Sequence, residues 1–299
     1  QVLYGEDKKQ YLLGETISNY YSVLYRLSDS GVFEKVALKR FEETNEDWGN
    51  LPYRPNVIKV LENGMIAVAY PWNVIEVYSS DGQSILGEYQ CGRSSVLAAE
   101  GNTLYYIDQN DKELLSINME TKKKGSPRPL GIDPFVAGAL EINSGNAYIC
   151  NTNGIHLNME GVSLWETLIE GDQCSLNMPT ISLKDYVIGT EEDFYIVVTN
   201  MGNTDVSIKH IYFDENVSSA PPITLSIFSI EDNPTIRQAV TIFQESHPEV
   251  RINFSIANTD NELRYTYGLK NPKQTIPLKD QINALNTDLL AGRGPDIIV

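Results

Sequence analysis

The stretch VIKVLENGMIAVAYPWNVIEVYSSDGQSILGEY (57–89) decides how the chain is read. Asn63-Gly64 and Asp81-Gly82 are hairpin dipeptides, because both central positions of a type I′ turn need positive φ. Between them, MIAVAY and VIEVYS are runs of strand length, rich in β-branched and aromatic residues. The stretch predicts four short antiparallel strands with no helix among them.

The same phrase recurs. VLAAEGNTLYYIDQNDKELLSINMET (96–121) places Gly101-Asn102 and Asn110-Asp111 before apolar runs. ALEINSGNAYICNTNGIHLNMEGVSLWETL (139–168) does so with Gly145-Asn146, Asn153-Gly154 and Glu160-Gly161, and LKDYVIGTEEDFYIVVTNMGNTDVSIKHIYFDEN (183–216) with Gly202-Asn203. YYSVLYRLSDSGVFEKVALKRF (20–41) is a degenerate first copy, turning at Asp29-Ser30-Gly31. A period of about forty residues with four strands per unit is the signature of a β-propeller blade, and adjacent blades stack to share a core. A β-sandwich also repeats strands every 8–12 residues or so, but does not demand self-similarity at the longer period. About five blades are expected within 1–219.

Composition narrows the function. The chain has 299 residues, 41% apolar, with a formal net charge of −17. That is ample for a real core, and no basic stripe exists to neutralise phosphates, which argues against nucleic-acid binding. Residues 223–299 carry 9 acidic and 7 basic side chains, so nearly all the excess acidity sits in 1–222. The basic run Lys122-Lys123-Lys124, beside Gly125 and Pro127, reads as a solvated loop. Cys91, Cys150 and Cys174 lie far apart without a CxxC pair and read as small buried hydrophobes. No stretch approaches the length of a membrane span. No signal peptide is present, and the start at Gln1 rather than Met says nothing about location.

At Ala220-Pro221-Pro222 the character changes, as at a domain linker. ITLSIFSI (223–230) is continuous and apolar like a buried parallel strand. Asn233 is a plausible N-cap with Pro234 at the first helical position, and Ile236, Ala239, Val240 and Phe243 form one apolar face. VRINFSIA (250–257) alternates like a second strand. After a polar loop (258–278), a helix over 279–290 presents Ile282, Leu285 and Leu289. Gly292 then caps it, and Gly294-Pro295 turns the chain into DIIV (296–299).

The phrases FQESHPEVRINF (243–254) and LLAGRGPDIIV (289–299) resemble the start of extracellular solute-binding proteins that feed ABC importers, of the sugar-binding class. The resemblance implies a multidomain fold: an all-β propeller of about five four-stranded blades (1–219), a linker (220–222) and a truncated periplasmic-binding-protein-like α/β domain (223–299). The chain would be a fragment, with most of the binding cleft in a second lobe that it does not contain. It also implies non-catalytic capture of a small solute, a carbohydrate above all, for an ABC permease. Such a chain fits a lipid-anchored surface lipoprotein of a Gram-positive bacterium. Ligands of open α/β sheets bind outside the carboxyl ends of the strands. This nominates Ser229, Glu231, Asp232, Asn233 and Asp260, of which Asn233 reads better as a helix cap. Gly292, Gly294, Pro295 and Asp296 look like the family's structural turn.

The sequence carries no other catalytic or metal-binding pattern. His156, His210 and His247 belong to no metal-ligand spacing, and neither a GxSxG elbow nor a phosphate loop occurs. Turns such as Ser79-Ser80-Asp81-Gly82 lack the distal Glu of a calcium loop. Trp48, Trp72 and Trp165 are expected to pack between blades. No catalytic residue, metal or cofactor is nominated. Two further readings stay open: a cell-surface adhesion or protein-interaction propeller, and a propeller carbohydrate-active enzyme.

Overall fold

The computed structural model describes residues 2–15, 22–45, 51–52, 54–71, 73–92, 96–108, 110, 112–131, 138–171, 173–176, 181–190, 193–200, 206–214, 223–231, 233–247, 249–258 and 278–299. The first sheet is a meander of β1 (Val2–Tyr4), β2 (Gln10–Glu15), β3 (Ser22–Leu27) and β4 (Phe33–Val36). A 3-10 turn (Lys39–Glu42) and a two-residue ladder of β5 (Thr44–Asn45) and β6 (Leu51–Pro52) follow. The second sheet holds β7 (Val57–Val60), β8 (Ile66–Tyr70), β9 (Val74–Tyr78) and β10 (Ile85–Gln90). The third holds β11 (Leu97–Glu100), β12 (Thr103–Ile107), β13 (Glu113–Asn118) and β14 (Arg128–Pro129). The fourth holds β15 (Ala139–Asn143), β16 (Asn146–Asn151), β17 (Gly154–Asn158) and β18 (Glu166–Glu170). A fifth has three strands among the described residues: β19 (Ile181–Thr190), β20 (Asp193–Asn200) and β21 (Val206–Tyr212).

Every residue of β8 is buried, and its alternation explains why. Ile66, Val68 and Tyr70 face the first sheet, packing with Tyr11, Leu24, Val36 and Phe41. Ala67 and Ala69 face the third, packing with Leu97, Leu104 and Ile117. The pattern repeats onward: Tyr105 and Ile107 meet Leu140 and Ile149 between the third and fourth sheets. Tyr148 and Ile155 meet Phe194, Ile196 and Val198 between the fourth and fifth. The first strands β7, β11, β15 and β19 neighbour one another in that order. Sheets stacked face to face about a row of first strands make a propeller-type architecture, as the repeat predicts.

Two details differ from the expectation. The copy at 20–41 covers only β3, β4 and the 3-10 turn; the first sheet begins at Val2 with two strands whose turn, Gly5–Lys9, carries no Asn-Gly signal. The hairpin dipeptides are also not type I′ turns. Gly64 (φ 81°) and Gly82 (φ 77°) are left-handed, but Asn63 and Asp81 are not. Instead Asn63 Oδ1 accepts from Met65 N–H (3.0 Å), Asp81 Oδ1 from Gln83 N–H (3.0 Å), and each glycine N–H closes a turn onto Leu61 or Ser79. The side chain thus caps a turn in which only glycine need be left-handed.

Residues 223–299 contribute β22 (Ile223–Glu231), α1 (Pro234–Ser246), β23 (Val250–Asn258), α2 (Leu278–Leu290) and β24 (Ile297–Ile298). The strands are parallel in the order β23-β22-β24. Ile227, Val250 and Ile252 form their small core with Leu225, Val240 and Phe254. Helix α1 buries Thr241 rather than Phe243, which stands 38% exposed. The Phe243 ring stacks on His247 at 4.2 Å instead, and the Arg237 guanidinium lies over Phe254. The linker 220–222 and most of the loop 258–278 lie outside the described residues.

Candidate functional site

Between the third and fourth sheets lies an open groove of about 620 Å³. One wall is Thr103, Tyr105, Ser116 and Asn118 with Lys123–Pro129; the other is the turn Glu160–Ser163. The basic run on this wall is not a free loop. Asn118 N–H donates to Lys123 O (2.9 Å), Gly125 N–H donates to Ser116 O (3.0 Å), and Lys124 bridges Ile117. The intervening turn is held by Asn118 Oδ1, which accepts from Thr121 N–H (2.8 Å), Thr121 Oγ1 (3.0 Å) and Glu120 N–H (3.2 Å). Asn118→Ala should therefore cost about 1 kcal/mol of stability, like the loss of a capping side chain. Chemical unfolding of the variant reads this directly.

Opposite, Asn158 is fully buried, and its Nδ2 donates to Val162 O (2.8 Å) and Leu164 O (3.0 Å), fixing the second wall. Trp165 packs against the core between the two sheets, and its Nε1 donates to Pro129 O (2.9 Å). Trp48 and Trp72 lie outside the described residues. Burial, and then the charge of Glu100, push the Tyr105 hydroxyl upward in pKa against the pull of Arg128. It stays a neutral donor in the groove. Arg128 Nη1 is shut off from water and has no acceptor among the described residues.

The acidic residues near the short turns have structural partners. Glu100 accepts from Gly145 N–H (3.2 Å), and Glu6 from Gly101 N–H (3.4 Å). Lys59 Nζ meets Glu141 Oε1 at 2.6 Å, joining the first strands of the second and fourth sheets, which are not neighbours. The histidines are likewise engaged. His210 pairs with Asp193 and stacks on Tyr195, and His247 sits at the end of α1 against Phe243 and Ser246. His156 is buried between Thr167 Oγ1 (3.1 Å) and Asn151 Oδ1 (3.4 Å). Among the described residues no three His, Cys, Asp or Glu side chains gather as a metal site, and no helix is long and apolar enough to cross a membrane.

Burial holds the His156 pKa below its ordinary value. The unfolded chain therefore binds more protons below about pH 6.5, and stability must fall as pH drops through that value. The slope from this one group is at most about 1.4 kcal/mol per pH unit. Urea midpoints at pH 7 and pH 5.5 should separate in the native chain, and separate less in His156→Gln.

The residues nominated from the sequence, where described, take separate structural places in the parallel unit. Ser229 is buried within β22. Asn233 caps α1, its Oδ1 accepting from Thr235 N–H at 2.9 Å. Glu231 ends β22; its side chain, Asp232 and Asp260 lie outside the described residues. Gly292 (φ 70°) follows α2, and Gly294 and Pro295 lead on to β24. Asp296 accepts from Ser226 N–H and Oγ, both at 2.7 Å, and these bonds lower its pKa.

No protein-family model matches the chain, and no curated protein matches it. Solved structures similar to it include the RRP9 WD40 repeats (11% identity, 70% of this chain and 62% of that one, TM-score 0.47). Others are a mitotic checkpoint complex chain (12%, 69% and 61%, 0.45) and the Neurospora crassa Pan2 WD40 domain (14%, 69% and 73%, 0.41). The chain thus spans less than two thirds of the first two. At such identities the likeness extends to repeated four-stranded sheets alone, and the architecture rests on the sheet order and packing above. One expectation is corrected. The matched folds are WD40 repeat propellers, not solute-binding proteins of ABC importers. The description as a solute-binding component of a carbohydrate importer is corrected accordingly, and a sugar solute and a permease find no support among the matched folds. The phrases that suggested it encode a strand-helix-strand unit, which many α/β proteins share.

Proposed function

We propose that this chain is a non-catalytic protein-interaction module built on stacked propeller sheets. The observation that carries this reading is the open groove, lined by charged, hydroxyl and amide side chains among apolar surface, held between two sheets that share a core. Stacked sheets fix their turns rigidly, so a partner meets a surface already in its binding geometry and little ordering entropy is lost. A photo-crosslinking residue placed in turn at Asp29, Ser126 and Ser163, all exposed, tests it. The expected result is a discrete adduct with a protein of the source cell, and saturable binding when that partner is purified. Absence of any saturable protein partner, or turnover of a glycoside by the purified chain, would contradict the reading.

A further inference from the structure

We propose that the groove between the third and fourth sheets receives an acidic, extended segment of a partner protein. This rests on the interaction reading above and names the class of partner. The first support is charge. Four of the chain's 23 Lys and Arg side chains fall within 122–128, on a molecule of net charge −17. Lys123, Lys124 and Arg128 line the groove, and one acidic residue, Glu160, stands on the far wall. Lysines at a sheet edge also discourage unwanted strand pairing, but that role leaves the second support unexplained. Arg128 Nη1 is an orphan donor, removed from water and without an acceptor among the described residues. A buried unsatisfied donor is costly, and because Arg128 itself borders the groove, turning its guanidinium toward an entering carboxylate would give Nη1 the acceptor it lacks.

The mode of recognition follows from the wall. Pro127 and Pro129 interrupt the outer edge of the third sheet, and prolines lack the N–H that an added strand would need. A partner is therefore read by side chains: carboxylates by Lys123, Lys124 and Arg128, and backbone carbonyls by the Tyr105 hydroxyl and the Ser116 and Asn118 side chains. Glu160 disfavours a uniformly acidic ligand and selects one with acidic residues spaced along an extended backbone. A nucleic acid fits worse, because the surrounding acidity repels a continuous polyphosphate.

The test is a titration of the whole chain with a labelled peptide alternating Glu and Ser, beside the same peptide with Gln for Glu and an RNA oligonucleotide. Saturable, salt-sensitive binding of the Glu peptide alone is expected. Lys123→Glu with Lys124→Glu, both at exposed positions, should weaken it by roughly tenfold or more through lost and reversed charge pairing. Lys279→Glu, exposed on α2, should leave it unchanged. Arg128→Lys keeps the charge but loses the fork, and should weaken binding without lowering the unfolding midpoint. Unchanged affinity in the double variant, equal binding of the Gln peptide, or preference for the RNA would each overturn the proposal. Failure of the Glu peptide to bind while the crosslinked partner still does would overturn this inference alone. Loss of both would remove the interaction reading as well.

Discussion

Replacing Leu104 by Ala is expected to lower the unfolding free energy by about 3 kcal/mol. Leu104 is fully buried in β12, paired with Ala99 on one side and Ile117 on the other. Its side chain fills the core shared by the second and third sheets, in one cluster with Ala67, Ala69, Ile75 and Val77. Both sheets are pinned by their own ladders, so neighbouring side chains close the cavity only in part. Leu164, 77% exposed, supplies the control; truncating it should change stability by less than about 0.5 kcal/mol. Urea unfolding of both variants decides the matter. Equal midpoints would mean that the two sheets do not share a core.

The second large effect concerns charge placed in that stack. Glu76 lies in β9 with its side chain only 4% exposed, and Arg40 Nε reaches its Oε1 at 2.8 Å. The Tyr78 hydroxyl donates to the same carboxylate and neighbours the Tyr70 hydroxyl at 3.2 Å. Burial first, and then Tyr70, drive the Tyr78 hydroxyl far above its ordinary pKa, so it remains a donor. Arg40→Met leaves a buried carboxylate short of its cation, and should cost about 3 kcal/mol. Adding Glu76→Gln removes the stranded charge, while the amide oxygen can still accept from Tyr78. The double variant should then be more stable than Arg40→Met alone. Simple additivity in this double-mutant cycle would show that the pair is not coupled.

The sequence reveals the sheets more readily than the site, and the reason is physical. Alternating apolar runs between glycine turns are local signals, so 57–89, 96–121 and 139–168 each announce a sheet unaided. The first sheet is harder, because Val2–Tyr4 and Gln10–Glu15 are joined by a charged turn that resembles linker. The hairpin type is misjudged because an Asn or Asp side chain can close a turn without itself becoming left-handed. In α1 the periodicity selects Phe243, but stacking on His247 competes with burial on the sheet. The basic run 122–124 is visible as a charge anomaly. That it is bonded to β13, and that Arg128 hides a donor beside it, depends on pairings the local sequence does not announce. The importer resemblance goes without support for a related reason. It rests on short phrases that encode a parallel strand-helix-strand unit, a fold element that names no function.

Amide hydrogen exchange of the whole chain, with and without the alternating Glu-Ser peptide, tests the central claim most directly. Binding in the inter-sheet groove predicts slower exchange at 116–128 and 158–163, with the parallel strands at 223–231 and 250–258 unaffected. Protection confined to those parallel strands, or none anywhere at saturating peptide, would contradict it.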